Sequence, residues 1–159
     1  MTINGKMNIT LPDSFSPPDQ ETFGKMHFYG REPELCMFDK DRHMVITAGC
    51  QQLPLLSRLM LKDKEIVSSM EKSSDQAMKN FDYRLIEFTD RQIGGKTASC
   101  FRYCYVAESI EMEGESCFVR DVKDLYSLYV YYRRQLREIS IPVWESVLDS
   151  VSWVEPNGK

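Results

Sequence analysis

Tyr83-Arg-Leu-Ile-Glu-Phe-Thr-Asp-Arg-Gln92, Thr97-Ala-Ser-Cys-Phe-Arg-Tyr-Cys-Tyr-Val-Ala-Glu108, Ser116-Cys-Phe-Val-Arg120 and Asp124-Leu-Tyr-Ser-Leu-Tyr-Val-Tyr-Tyr132 are successive runs rich in β-branched and aromatic residues. Each reads as a strand. In the second, Phe101, Tyr103 and Tyr105 alternate with Cys100, Arg102 and Cys104, the two-residue period of a pleated chain. Gly94-Gly95, Glu113-Gly114 and the segment before Asp124 supply turns. Such short connections allow only antiparallel neighbours, because a parallel crossover needs a dozen or more residues. This stretch therefore predicts an antiparallel meander.

The flanks complete the pattern. Met7–Leu11 reads as a first strand and residues 12–21, with Pro17-Pro18, as a loop. Glu34–Phe38 and His43–Cys50 form a hairpin over Asp39-Lys-Asp-Arg42. Leu53–Leu61 is an apolar helical piece. From Asp63, a plausible N-cap, Ile66, Val67, Met70, Ala77, Met78 and Phe81 make one helical stripe. Ile141–Ser150 reads as a closing helix capped by Ser140, with Pro142 in its first turn. Trp153 follows in an extended tail, and 155–159 reads as a flexible end. The expectation is α+β: an antiparallel sheet of about six to seven strands covered by two or three helices, in one domain spanning 1–159.

Composition bounds the partners. The 159 residues are 42% hydrophobic and 28% charged, with a net charge of −4 and a pI near 5.3. An acidic chain is a poor match for nucleic acid or an anionic membrane. No window approaches the roughly 20 apolar residues of a membrane span, and the N-terminus lacks a signal-peptide core. The five cysteines, Cys36, Cys50, Cys100, Cys104 and Cys117, are odd in number and scattered. That favours buried, reduced thiols, and the expected location is cytoplasmic.

The chemical motifs read weakly. Gly94-Gly95-Lys96-Thr97 ends like a phosphate-binding loop, but Asp90 stands where its first glycine belongs and a strand follows instead of a helix. It reads as a hairpin turn. Cys100 and Cys104 lie about 13 Å apart along a strand, too far for a disulfide or a shared ion. Cys36 is expected opposite Val45, away from Cys50, and neither His27 nor His43 has a ligand at metal spacing. No nucleophile elbow occurs. Glu108, Glu111, Glu113 and Glu115 gather around the proposed turn and read as the wet face of an exposed hairpin. Catalytic, metal and cofactor residues are therefore expected to be none. Tyr129, Tyr131, Arg133, Arg134 and Arg137 are the candidate partner-binding set, because aromatic groups beside arginine are enriched at interfaces.

Taken together, Leu11-Pro-Asp-Ser14-Phe15, Tyr83, Ile93-Gly-Gly-Lys-Thr-Ala98, the aromatic strand, the acidic turn, Leu125–Tyr132 and the ending Trp144-x-x-x-Leu148-x-Ser150-Val151 resemble the PsbP/DcrB-like domains. The likeness spans nearly the whole chain. It departs at Ser14, where that family often has glycine, and in showing no export signal. The resemblance implies an α-β-α sandwich with a central antiparallel sheet. It also implies a mostly non-enzymatic group of bacterial-type binding and assembly proteins: photosystem accessory proteins, a Ran-binding import factor, envelope lipoproteins and chaperones of secreted effectors. No shared catalytic residues come with it. The leading expectation is a non-catalytic module that binds a protein partner, with an adaptor or chaperone version that predicts a homodimer and an exposed apolar groove. The alternative is a small-molecule binder or hydrolase with a pocket between sheet and helices.

Overall fold

The computed structural model describes residues 1–26 and 32–155. His27 and the tail beyond Glu155 lie outside these residues. The elements run β1 (Thr2–Ile3), β2 (Met7–Asn8), α1 (Gln20–Lys25), β3 (Leu35–Asp39), β4 (Met44–Gln52), α2 (Leu55–Met60), α3 (Asp63–Ala77), β5 (Arg84–Ile93), β6 (Lys96–Ala107), β7 (Ile110–Asp121), β8 (Asp124–Arg133), α4 (Arg137–Asp149) and β9 (Ser152–Trp153). The fold is α+β. A six-stranded sheet has the order β3-β4-β8-β7-β6-β5, and a small sheet joins β1, β2 and β9. All pairs are antiparallel.

The two-residue period of the strands sends alternate side chains to two separate cores. On one face Ile46, Cys100, Cys117, Val119, Tyr126, Leu128 and Val130 pack with Trp144, Val147 and Leu148 of α4, with Ile3 and Met7 of the small sheet and with Val151 just before β9. On the other face Phe101, Tyr103, Phe118 and Leu125 pack with Ile66, Val67 and Met78 in and beside α3. Each such buried side chain contributes about 1.5–3 kcal/mol of hydrophobic stabilisation. The meander is the scaffold and the helices are its covers.

Several local expectations are corrected. Glu113-Gly114 is not a turn: the chain reverses at Glu108 and Ser109, both with positive φ (51° and 65°), and β7 runs straight through Gly114. The pair of left-handed residues suits the strand twist even without glycine. The strand expected over Met7–Leu11 is the second, β2, and ends at Asn8, and Cys36 faces Thr47 while Val45 faces Phe38. Lys62 takes the N-cap position of α3, where its backbone N–H meets the Glu65 carboxylate, and Asp63 is the first helical residue. The last helix starts at Arg137, so Pro142 lies inside it and Ser140 is buried in its second turn instead of capping it. Ion pairs from Arg134 and Arg137 to the sheet draw the chain into helix earlier than the Ser-x-Pro signal suggests.

The Gly94-Gly95 turn is a hairpin turn, as expected. Both residues have positive φ, and a Cβ at Gly94 would stand 2.7 Å from the Trp153 indole nitrogen. Lys96 then pairs with Asp121 and lies 4.8 Å over the Trp153 ring.

Candidate functional site

With Gly114 inside a strand, the parity of β7 reverses the reading of its acids. Glu113, Glu115, Cys117 and Val119 share the α4 face, and Glu113 and Glu115 are 2% and 4% exposed. Only Glu111 of the three alternating glutamates is exposed. Pairing lays the polar groups in rows across three strands. Glu87 faces Arg102, which faces Glu115; Thr89 faces Cys100, which faces Cys117.

A buried carboxylate needs partners, since burying it bare would cost several kcal/mol. Glu115 receives Arg91 Nε at 2.8 Å and Nη2 at 3.2 Å, and the Trp144 indole N–H at 2.7 Å. Arg91 turns its other edge to Glu145 of α4 at 2.8 and 2.9 Å. One guanidinium thus bridges sheet and helix. Burial disfavours its charge, but the hydrogen bonds it donates to both carboxylates outweigh that and hold it above its ordinary value. Glu113 accepts the Tyr132 hydroxyl at 3.1 Å and lies 3.3–3.9 Å from Arg102, Arg134 and Arg137. Burial, and then the nearby Glu113 charge, push the Tyr132 hydroxyl up.

Between α4 and the edge strand β5 this network borders an open cavity of about 330 Å³. Its lining includes Glu87, Thr89, Arg91, Arg102, Glu115, Tyr132, Trp144 and Glu145. The volume sits at the low end of the range for ligand pockets. Its lining holds a threonine and several carboxylates but no Ser, Cys or His side chain. Beneath it, the ligand atoms of Cys100, Cys117 and Glu115 lie within 4.8 Å of one another. Both Glu115 oxygens are already taken by Arg91 and Trp144, and a guanidinium stands where a cation would have to approach. Burial, and next the hydrogen bond with Cys100, push the Cys117 thiol up, against the thiolate a metal needs. The cluster does not suit a metal ion.

The five residues singled out for partner binding are divided between the faces. Tyr129 and Tyr131 are half-buried on the α3 face, where Tyr129 meets Phe118 edge-on at 5.7 Å. Arg133 shares their parity and makes no ion pair among the described residues. Arg134 and Arg137, on the α4 side, hold Glu113. The structure brings the last two together with a buried acid and separates them from the tyrosines.

The sequence reading missed a second feature. α2 turns Leu55, Leu56, Leu59 and Met60 to solvent at 60–75% exposure, and Val122 in the β7–β8 turn beside it is 82% exposed. The helix is pinned through its backbone. Arg120 donates to the carbonyls of Arg58 and of Leu61, the latter at 2.9 Å, and the Leu53 N–H reaches the Lys123 carbonyl at 2.8 Å. Side chains that would ordinarily fold inward are left outside.

No protein-family model matches the chain, and no curated protein matches its sequence. Solved structures do match its shape. LpqN of Mycobacterium tuberculosis, described as involved in cell envelope biogenesis, aligns with a TM-score of 0.64 at 9% identity, over 97% of this chain and 89% of its own. The cyanobacterial PsbP (CyanoP) of Synechocystis aligns with a TM-score of 0.63 at 12% identity, over 94% and 93%. PA94 of Pseudomonas aeruginosa, a protein of unknown function, aligns at 0.54 with 13% identity, over 96% and 84%. The molecule is an α+β sandwich in which a six-stranded antiparallel sheet lies between helical layers. Its fold is PsbP-like, as the sequence resemblance implied.

Proposed function

We propose that the protein is a non-catalytic protein-binding module that works as an adaptor or chaperone for a partner carrying an apolar segment. One observation carries this reading: α2 presents Leu55, Leu56, Leu59 and Met60 outward while its backbone is fastened to Arg120 and Lys123. Contiguous exposed apolar side chains on a soluble surface mark sites of association. The helix is anchored from below and open above, which suits capture of an apolar surface. The thiols are free, with Cys100, Cys104 and Cys117 buried, and this supports a reducing, cytoplasmic setting.

Arg133, Arg134 and Arg137 lie at the far end of β8, about 30 Å from α2 at the rise of a strand. They form a second candidate contact, independent of the first. Affinity capture from the native host, with tagged protein read by mass spectrometry, tests both. The doubly substituted Leu56→Asp, Leu59→Asp protein is expected to lose specific partners while its circular dichroism is unchanged. Capture of the same proteins by wild type and this variant refutes the α2 reading. A Tyr131→Ala, Arg134→Ala protein run beside it shows whether the far end shares the partner.

A further inference from the structure

β5 ends the large sheet, and among the described residues it pairs only with β6. From Glu87 to Ile93 its register with β6 is uninterrupted, so alternate residues turn both backbone N–H and C=O away from the sheet. Proteins usually blunt such edges with proline or a covering loop. β5 has no proline, and its residues from Arg84 to Phe88 are all exposed, Phe88 at 48%. A bulge between Leu85 and Glu87 interrupts one end of the strand, so the edge open to an added strand is the regular stretch from Glu87 to Ile93.

The cavity opens at this same edge, and its lining includes Glu87, Thr89 and Arg91 of β5 itself. Its charge is layered. The carboxylates of Glu87 and Glu145 stand at the mouth, with side chains 48% and 41% exposed, whereas the guanidiniums of Arg91 and Arg102 lie deeper at 26% and 18%. The aromatic rings of Tyr132 and Trp144 are buried in the wall. The Thr89 hydroxyl is buried and has no hydrogen-bond partner among the described residues. The lining sets four carboxylates, Glu87, Asp90, Glu115 and Glu145, against the two guanidiniums, so a cationic side chain entering here meets an excess of negative charge and, beside it, aromatic surface. On the opposite face of the strand, Phe88 offers apolar surface to the next residue of an incoming chain.

We propose that β5 and this cavity bind an extended peptide segment of a partner protein by strand addition, with a lysine or arginine side chain in the cavity and apolar residues on either side of it. Main-chain hydrogen bonds to the edge supply affinity and the cavity supplies selectivity. A second copy of this chain is the poorer occupant. Two-fold pairing of β5 with itself would bring two acidic mouths together, and like charges across an interface oppose association. The surface is distinct from α2, so either proposal can fail without the other.

The test uses a blocked, fluorescein-labelled nonapeptide of alternating threonine and valine with a central arginine, and its twin with central glutamate. Anisotropy is expected to show the arginine peptide binding ~10-fold more tightly or better, as electrostatic selection at an interface allows. Hydrogen exchange is expected to slow across residues 84–93 when it binds. Glu145→Lys, at a half-buried helix position, removes the preference; Glu87→Lys does the same from the strand side. Leu56→Asp leaves binding unchanged. Equal affinity for the two peptides overturns the proposal. So does the absence of binding, exchange protection confined to other strands, or a β5-mediated dimer of the free protein.

Discussion

Gly114 has an ordinary strand backbone, so its lack of a side chain answers a purely steric need. A Cβ there would lie 2.5 Å from both Cζ and the hydroxyl oxygen of Tyr103 and 2.9 Å from its Cε2. The ring cannot step aside easily. Tyr83 and Tyr105 stack on it at 5.5 and 6.0 Å, and Phe101 leans on it at 5.8 Å. Gly114→Ala must therefore displace either this aromatic row or strand β7. Overpacking of this kind costs about 1–3 kcal/mol, and the hemmed-in ring places the expected value at about 2–3. For a chain of this size that lowers Tm by about 4–12 °C. Urea unfolding followed by the fluorescence of Trp144 and Trp153 measures it. Adding Tyr103→Val to Gly114→Ala removes the obstacle, so the double substitution is expected to cost about 1–2 kcal/mol less than the sum of the single ones. A Gly114→Ala protein within about 0.5 kcal/mol of wild type, or strictly additive costs, refutes the argument that this ring dictates glycine.

Three more outcomes follow from the geometry. Arg91→Met strands the buried Glu115 and is expected to destabilise by about 3–5 kcal/mol; Arg91→Lys, unable to reach both carboxylates in fork geometry, restores only part, and full restoration in urea melts would refute the bridging role. Burial raises the Asp39 carboxyl, but hydrogen bonds from Arg42 and Ser14 outweigh it and hold the group below the usual carboxylate range, so its contribution is present above about pH 4 and fades as pH falls further; the stability gap between wild type and Asp39→Asn should shrink between pH 7 and pH 3, and a constant gap counts against this. Thiol labelling at pH 8 should reach Cys36 and Cys50 first and spare Cys100 and Cys117 until the protein unfolds, because burial pushes Cys117 up further; early modification of Cys117 would contradict the packing.

The antiparallel meander and its covering helices were legible because alternation and helical stripes are local signals, repeated over many residues; the pairing of β4 with β8 was not. Phe101, Tyr103 and Tyr105 declared one face of β6, and Ile66, Val67 and Met70 one side of α3. The polar network was not legible for a physical reason. Glutamate looks like a surface residue unless its partners are known, and those of Glu113 and Glu115 come from β5, β6, β8, α4 and the chain leading into α4, up to 54 residues apart within one network. Glycine misled as well. Gly114 reads as a turn from sequence, yet it serves a ring on the neighbouring strand, while the true turn uses Glu108 and Ser109. The exposure of α2 was hidden because Leu55-Leu56 and Leu59-Met60-Leu61, so close together, usually signal a core. Only the tertiary placement of Arg120 beneath the helix shows that these face out.

The small sheet has a bearing on synthesis. β2, at residues 7–8, pairs with β9, at residues 152–153, and Ile3, Met7 and Val151 help to close one core. The β1–β2 hairpin must therefore wait for its β9 partner while the residues up to Trp153 are translated. A ribosome still holding Trp153 in its exit tunnel holds an incomplete molecule, with the edge of β2 and the apolar underside of α4 unsealed. Closure thus waits until Trp153 has left the tunnel, and a pause in translation before that point will lengthen the life of the open form.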